Sequence, residues 1–114
     1  MTVYVLNPDK GYGKKFVELC GKIQINSYAT TDDFIKAGFT NYHEPSLYFS
    51  RPIKEDDKYP VSFSILVDKK SLKIKEFNLL DENFLQPHFC NREEYEQIEQ
   101  YTNMLVKKGI LKRN

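Results

Sequence analysis

The chain has 114 residues, with 17 basic against 16 acidic side chains and a formal net charge of +1. Hydrophobic residues make up 40% and aromatic ones 14%, enough for one modest core, which excludes disorder as a description of the whole chain. The neutral balance disfavours direct nucleic-acid binding, whose affinity rests on basic phosphate contacts, and also a nucleic-acid mimic, which would be strongly acidic.

The start, M-T-V-Y-V-L-N-P, lacks a basic segment followed by an apolar run, and no stretch is long and apolar enough for a membrane span. A single domain over 1–114, lying in the cytoplasm, is the expectation. Thr2–Leu6 reads as a short strand, broken by the turn residues Asn7, Pro8 and Gly11. Gly11-x-Gly13-Lys14 is not a phosphate loop. That motif needs a glycine where Pro8 stands and a hydroxyl where Lys15 stands.

Phe16, Leu19, Cys20 and Ile23 recur at helical spacing, so a helix is expected over Lys14–Gly21 with Gly21 as its stop. Thr30 or Thr31 caps a second short helix, with Asp32 and Asp33 in its first turn and Gly38 at its end. Phe39–Pro45, with His43, reads as a loop. Ser46–Ile53 reads as a strand that Pro52 confines to an edge or an early end.

Lys54–Pro60 is a charged connector, expected as a solvated turn. Val61–Val67 alternates cleanly, Asp68–Ser71 turns the chain, and Leu72–Leu79 returns, which predicts a three-strand antiparallel meander. Asn91 with Glu94 marks a strong helix start. Tyr95, Ile98, Tyr101 or Thr102, and Leu105 form its buried stripe, and Gly109 ends it, with Ile110 and Leu111 folding back. The fold class is α+β: an antiparallel sheet, the meander plus an N-terminal strand, packed on two short helices and one long C-terminal helix.

Asp81–Cys90 carries the most chemistry. Pro87 biases Gln86 to an extended conformation, so His88 and Cys90, one residue apart, point to the same side. With Cys20 and His43 they are all the cysteines and histidines of the chain. Two readings stand for them: a closed structural zinc site with two sulfur and two nitrogen ligands, or two core thiols and two surface imidazoles. No nucleophile–base pair is recognisable, so the chain is not expected to be an enzyme.

The run F-S-I-L-V-D-K-K, then L-L-D-E-N-F-L-Q-P, then a helix ending K-K-G-I-L, resembles small proteins of phages and mobile elements in Gram-positive bacteria. In those, an aromatic, a glycine and a glutamine-proline pair lead into tyrosine-rich residues. Phe84, Gln86 and Pro87 fit, whereas Leu85 replaces the glycine and His88-Phe89-Cys90 replaces the tyrosine segment. The resemblance covers Val61–Leu111 and extends to type II-A anti-CRISPR proteins of streptococcal and related phages, some of which carry a structural zinc.

What the resemblance implies is an inhibitor in the bacterial host cytoplasm that binds the RNA-guided type II effector nuclease and blocks target loading or cleavage. A neutral chain does not imitate the acidic protospacer-adjacent duplex. The expected contact is therefore a protein lobe outside that reading site. Tyr12, Tyr42 and Tyr48 are candidate contacts by residue type. The alternatives are a phage regulatory or replication accessory protein touching nucleic acid through Lys10, Lys14, Lys15 and Lys22 beside Tyr12 and Phe16, or an assembly factor.

Overall fold

The computed structural model describes residues 1–54, 60–83 and 85–114, with His43 and Lys54 described in the backbone alone. In chain order the elements are β1 (Thr2–Tyr4), α1 (Gly11–Gly21), β2 (Ile23–Ile25), α2 (Thr31–Lys36), β3 (Thr40–His43), β4 (Ser46–Lys54), β5 (Val61–Asp68), β6 (Lys73–Asp81), β7 (Gln86–Pro87), α3 (Arg92–Lys107) and β8 (Leu111–Arg113). The fold is α+β, as expected. No helix among the described residues is long and apolar enough to cross a membrane.

The meander forms the centre of the sheet, whose order is β1-β6-β5-β4-β3, with β7 paired to β6 off that path. β4, β5 and β6 run antiparallel, and β1 joins β6 in parallel. A parallel partner needs a crossover, which the rest of the chain supplies before it returns as β6.

Two sequence expectations need correction. Ile23 does not continue the first helix: with Ile25 it enters β2, which pairs with β8 in a separate two-stranded ribbon. The β-branched Ile-x-Ile alternation wins over the helical spacing once Gly21 has ended α1. Thr40–His43 is a strand, not a loop, and hairpins onto β4 with an irregular register. The edge expected at Pro52 holds locally: among the described residues β3 pairs with β4 only at Ser46 and Tyr48, so the Pro52 end of β4 has β5 alone as its partner and the missing N-H costs no ladder bond on the open side. The connector expected at Lys54–Pro60 falls, apart from its ends, outside the described residues.

The alternation of the strands sorts the two faces of the sheet. Leu47, Phe49, Val61, Phe63, Ile65, Val67, Phe77 and Leu79 point to one face and are buried. All three helices pack there. Phe16 of α1 meets Phe77 at 4.7 Å and Phe63 at 6.2 Å between ring centroids. Tyr101 of α3 lies 6.4 Å from Phe63, and Phe34 of α2 reaches Phe49 through Phe39. The other face carries Tyr48, Ser50, Pro52, Ser62, Ser64, Leu66, Glu76, Asn78 and Leu80, of which Ser62, Ser64 and Asn78 are buried.

The helix starts are built as the sequence indicates. Thr30 Oγ1 accepts from the Asp33 N-H while Asp33 accepts from the Thr30 N-H, and Asn91 and Glu94 exchange the same pair of bonds. α1 lacks a side-chain cap and begins at Gly11, earlier than Lys14. Gly13 makes that start feasible. A Cβ there would collide with the carbonyls of Leu6 and Asn7, so the turn can fold tightly onto the helix only over glycine.

Candidate functional site

The Asp81–Cys90 stretch leaves β6, turns, and returns along its edge. The Leu85 N-H donates to the Asp81 carbonyl at 2.8 Å, Gln86 and Pro87 pair with Asp81 and Leu80, and the His88 N-H donates to Leu79 at 2.9 Å. The Leu6 N-H then donates to the His88 carbonyl at 3.0 Å, so Leu6 and Phe89 lie side by side in a parallel bridge. This places the continuation of β1 and the β7 segment at one corner of the sheet.

Alternation holds across the corner. His88 and Cys90 turn inward, as Pro87 and the extended backbone predict, and Phe89 turns out. The outward side chains are unusually apolar: Tyr4 is 40%, Leu6 48%, Phe89 53% and Leu85 75% exposed. Leu85 also has φ 53°, in the left-handed region that favours glycine. A branched side chain held there and left in solvent costs stability without contributing to the core.

The rim of the corner is polar and ordered. Glu94, 6% exposed, receives the Asn91 N-H on Oε1 at 3.0 Å and faces His88 Nε2 with Oε2 at 3.1 Å. One carboxylate thus joins the cap of α3 to the end of the β7 segment. A shallow cleft of about 310 Å³ opens beside the pair, lined by Ile53, His88, Phe89, Asn91, Glu93, Glu94 and Gln97. It has carboxylates and an imidazole but no nucleophile with a base.

The backbone sets His43, whose side chain is not described, apart from the other three candidate zinc ligands. β3, which carries His43, lies four strand steps from β7, roughly 19 Å at ~4.8 Å per step. Cys20 ends α1, whereas Tyr12 at the start of α1 meets Tyr95 of α3 at 5.8 Å, close to Cys90 in sequence. The length of α1 between Tyr12 and Cys20 is about 12 Å at ~1.5 Å per residue, so the thiols sit at opposite ends of that helix. Among the described residues no group of three or more His, Cys, Asp or Glu is placed to hold a metal.

Both thiols are core side chains. Cys20 lies 3.3 Å from Met1 Sδ, and the Cys90 thiol points at the Asn91 carbonyl at 3.6 Å. Burial pushes Cys20 up to about 11, partly offset by the N-terminal ammonium. Burial, then the Glu94 charge, pushes Cys90 up to about 12. Each thiol stays protonated at neutral pH.

The other sequence candidates fare unevenly. Tyr42 is almost fully exposed, while Tyr12 and Tyr48 are half-buried. Phe16 is fully buried and cannot stack a base, and the Lys15 ammonium already lies 5.0 Å over the Tyr12 ring. Leu6, Leu85 and Phe89 were not singled out by sequence. The outward phase of Thr2-Tyr4-Leu6 was readable, but its adjacency to Phe89 depends on the parallel β1–β6 pairing.

No protein-family model matches the chain, and no curated protein matches it. Its fold is similar to that in the crystal structure of a DUF1831 family protein from Lactobacillus plantarum. The TM-score is 0.68 over 81% of this chain and 86% of that one, at 13% identity. At that identity the likeness is one of fold.

Proposed function

We propose that this chain is a non-catalytic binding protein whose Leu6–Leu85–Phe89 corner docks on a protein partner. The partner that the sequence resemblance suggests is the type II RNA-guided effector nuclease. The observation that supports the docking reading is the exposed apolar pair Leu6 and Phe89, side by side in a parallel bridge, with exposed Leu85 held at positive φ at the other end of the β7 segment. An apolar centre with the Glu93, Glu94 and Gln97 rim beside it has the make-up of a protein interface. Contact with a protein lobe outside the duplex-reading arginines is consistent with the net charge of +1.

In this reading the inhibitor acts by occupancy. It obstructs the DNA channel or holds back the conformational change that licenses cleavage, and it performs no chemistry. Titrating the chain into guide-loaded nuclease before target DNA is added should abolish cleavage at a stoichiometric ratio. Phe89→Asp should restore cleavage while the protein stays folded. Full cleavage at excess wild-type protein, across nucleases of type II-A hosts, would remove the nuclease as partner.

A further inference from the structure

The cleft beside His88 and Glu94 does not end at the first turn of α3. A second cleft of about 460 Å³ is lined by Pro52, Ile53, Gln97, Gln100 and Tyr101, and the two share Ile53 and Gln97. Together they make one groove along the side of α3, from Phe89 at the corner to Tyr101. The β4 backbone beside it has little to offer an added strand. Pro52 lacks an N-H, its carbonyl accepts from the Tyr101 hydroxyl at 3.3 Å, and the Ser50 carbonyl accepts from Arg51 at 2.8 Å. Recognition in the groove therefore rests on side chains.

The charge of the groove is one-sided. Glu93 and Glu94 line its Phe89 end, and no Lys or Arg among the described residues lines either cleft. Glu94 is buried, yet its one ion-pair partner among the described residues is His88, which carries charge only when protonated. A buried carboxylate without a permanent cation beside it is costly. Glu93 is exposed and makes no hydrogen bond or ion pair among the described residues. Arg92, the nearest cation in sequence, is held by Glu96 at 3.1 Å. The start of α3 adds about half a positive charge, which two carboxylates outweigh.

We propose that this groove takes an arginine side chain from an extended segment of a protein partner. The guanidinium lies beside Glu93 and Glu94 and against the Phe89 ring, and the segment continues over Ile53 toward Tyr101. Arginine suits the site better than lysine. Its planar fork matches carboxylate oxygens and stacks on an aromatic face, and it keeps its charge at any physiological pH. A cleft of about 310 Å³ is at the low end of ligand pockets, which fits one side chain rather than a folded element. Arginine is also among the residues most enriched at the energetic centres of protein interfaces.

The chain's own arginines do not supply it. Arg51 lies 4.4 Å over the Phe49 ring, Arg92 meets Glu96, and Arg113 donates to Asn103. These are all the arginines of the sequence, so a second copy would have to release one of them. Because the groove shares Phe89 with the docking corner, the identity of the partner rests on the docking reading. The preference for a guanidinium does not.

Titration of the full chain with N-acetyl-arginine amide tests the preference. Backbone amide NMR shifts are followed at about pH 8, where an ordinary imidazole is neutral. Saturable shifts are expected at Phe89, Glu93, Glu94 and Gln97, with a dissociation constant on the order of millimolar. N-acetyl-citrulline amide, of the same shape without the charge, should bind about tenfold more weakly. Glu93→Gln, an exposed change that leaves the circular dichroism spectrum unaltered, should weaken the arginine probe about threefold and reduce nuclease co-elution. No saturable shift with the arginine probe overturns the inference. So does equal binding of the citrulline probe, or an arginine affinity that Glu93→Gln leaves unchanged. Arginine binding without nuclease co-elution upholds the groove and removes the nuclease as the source of its arginine.

Discussion

Leu85 is where sequence and structure together say most at the scale of one residue. Glycine would relieve the left-handed backbone at the cost of greater freedom in the unfolded chain. Leu85→Gly should therefore raise stability by on the order of 0.5–1 kcal/mol in urea melts while weakening partner binding. A loss of stability would mean that Leu85 packs in the fold rather than serving contact. The cysteines make a separate prediction. A thiol raised above its ordinary value of 9.0 in the folded state contributes stability that is fully present below pH 9. That contribution is lost as pH rises toward about 11 for Cys20 and about 12 for Cys90. Stability should accordingly fall from pH 9 upward, and a Cys20→Ala, Cys90→Ala variant should flatten that limb. Native thiols should resist alkylation at pH 8. Rapid modification of both, or a zinc ion in native mass spectra lost on Cys90→Ser, would contradict their reading as core side chains.

At the scale of elements, the start of α3 is the most consequential joint. Glu94 closes the Asn91 cap and faces His88, so its removal leaves two polar partners behind. Glu94→Ala should cost about 2 kcal/mol, and Asn91→Ala about 1 kcal/mol. Both are measurable by chemical denaturation, and equal costs would mean that the His88 contact contributes nothing. The cap was legible because Asn-x-x-Glu is a local signal. The His88–Glu94 contact was not, since the two meet only through the extended path from Pro87 to Asn91. β2 and β3 were missed for a related reason: three- and four-residue strands carry too little alternation to compete with a helical stripe or a loop composition. Asp68 was legible as a turn residue. Hydrogen bonds from Ser71 hold its carboxyl below the usual range, which ties the hairpin to its ionised form.

Over the whole molecule, Phe16, Phe34, Phe39, Phe49, Phe63 and Phe77 make the core, and Tyr12, Tyr95 and Tyr101 lie at its margins. Phe63 contacts Phe16, Phe49, Phe77 and Tyr101, from both the sheet and the helix layer. Phe63→Ala should cost about 4 kcal/mol, more than any surface change, and would leave little of a marginal stability. The α+β class, the meander and the long helix were readable because each has a sustained hydrophobic period. The parallel placement of β1 was not, because pairing across the length of the chain leaves no local trace. That placement brings Leu6 beside Phe89 at one corner of the sheet. Strand order likewise sets the backbone of His43 apart from that of His88, a separation that no local pattern shows. The docking claim is tested most directly by the affinity of guide-loaded type II effector nuclease for wild type and for Phe89→Asp, measured side by side by size-exclusion co-elution. The account predicts a stable complex with wild type and none with the variant, both proteins being folded. Equal co-elution of the two would contradict it.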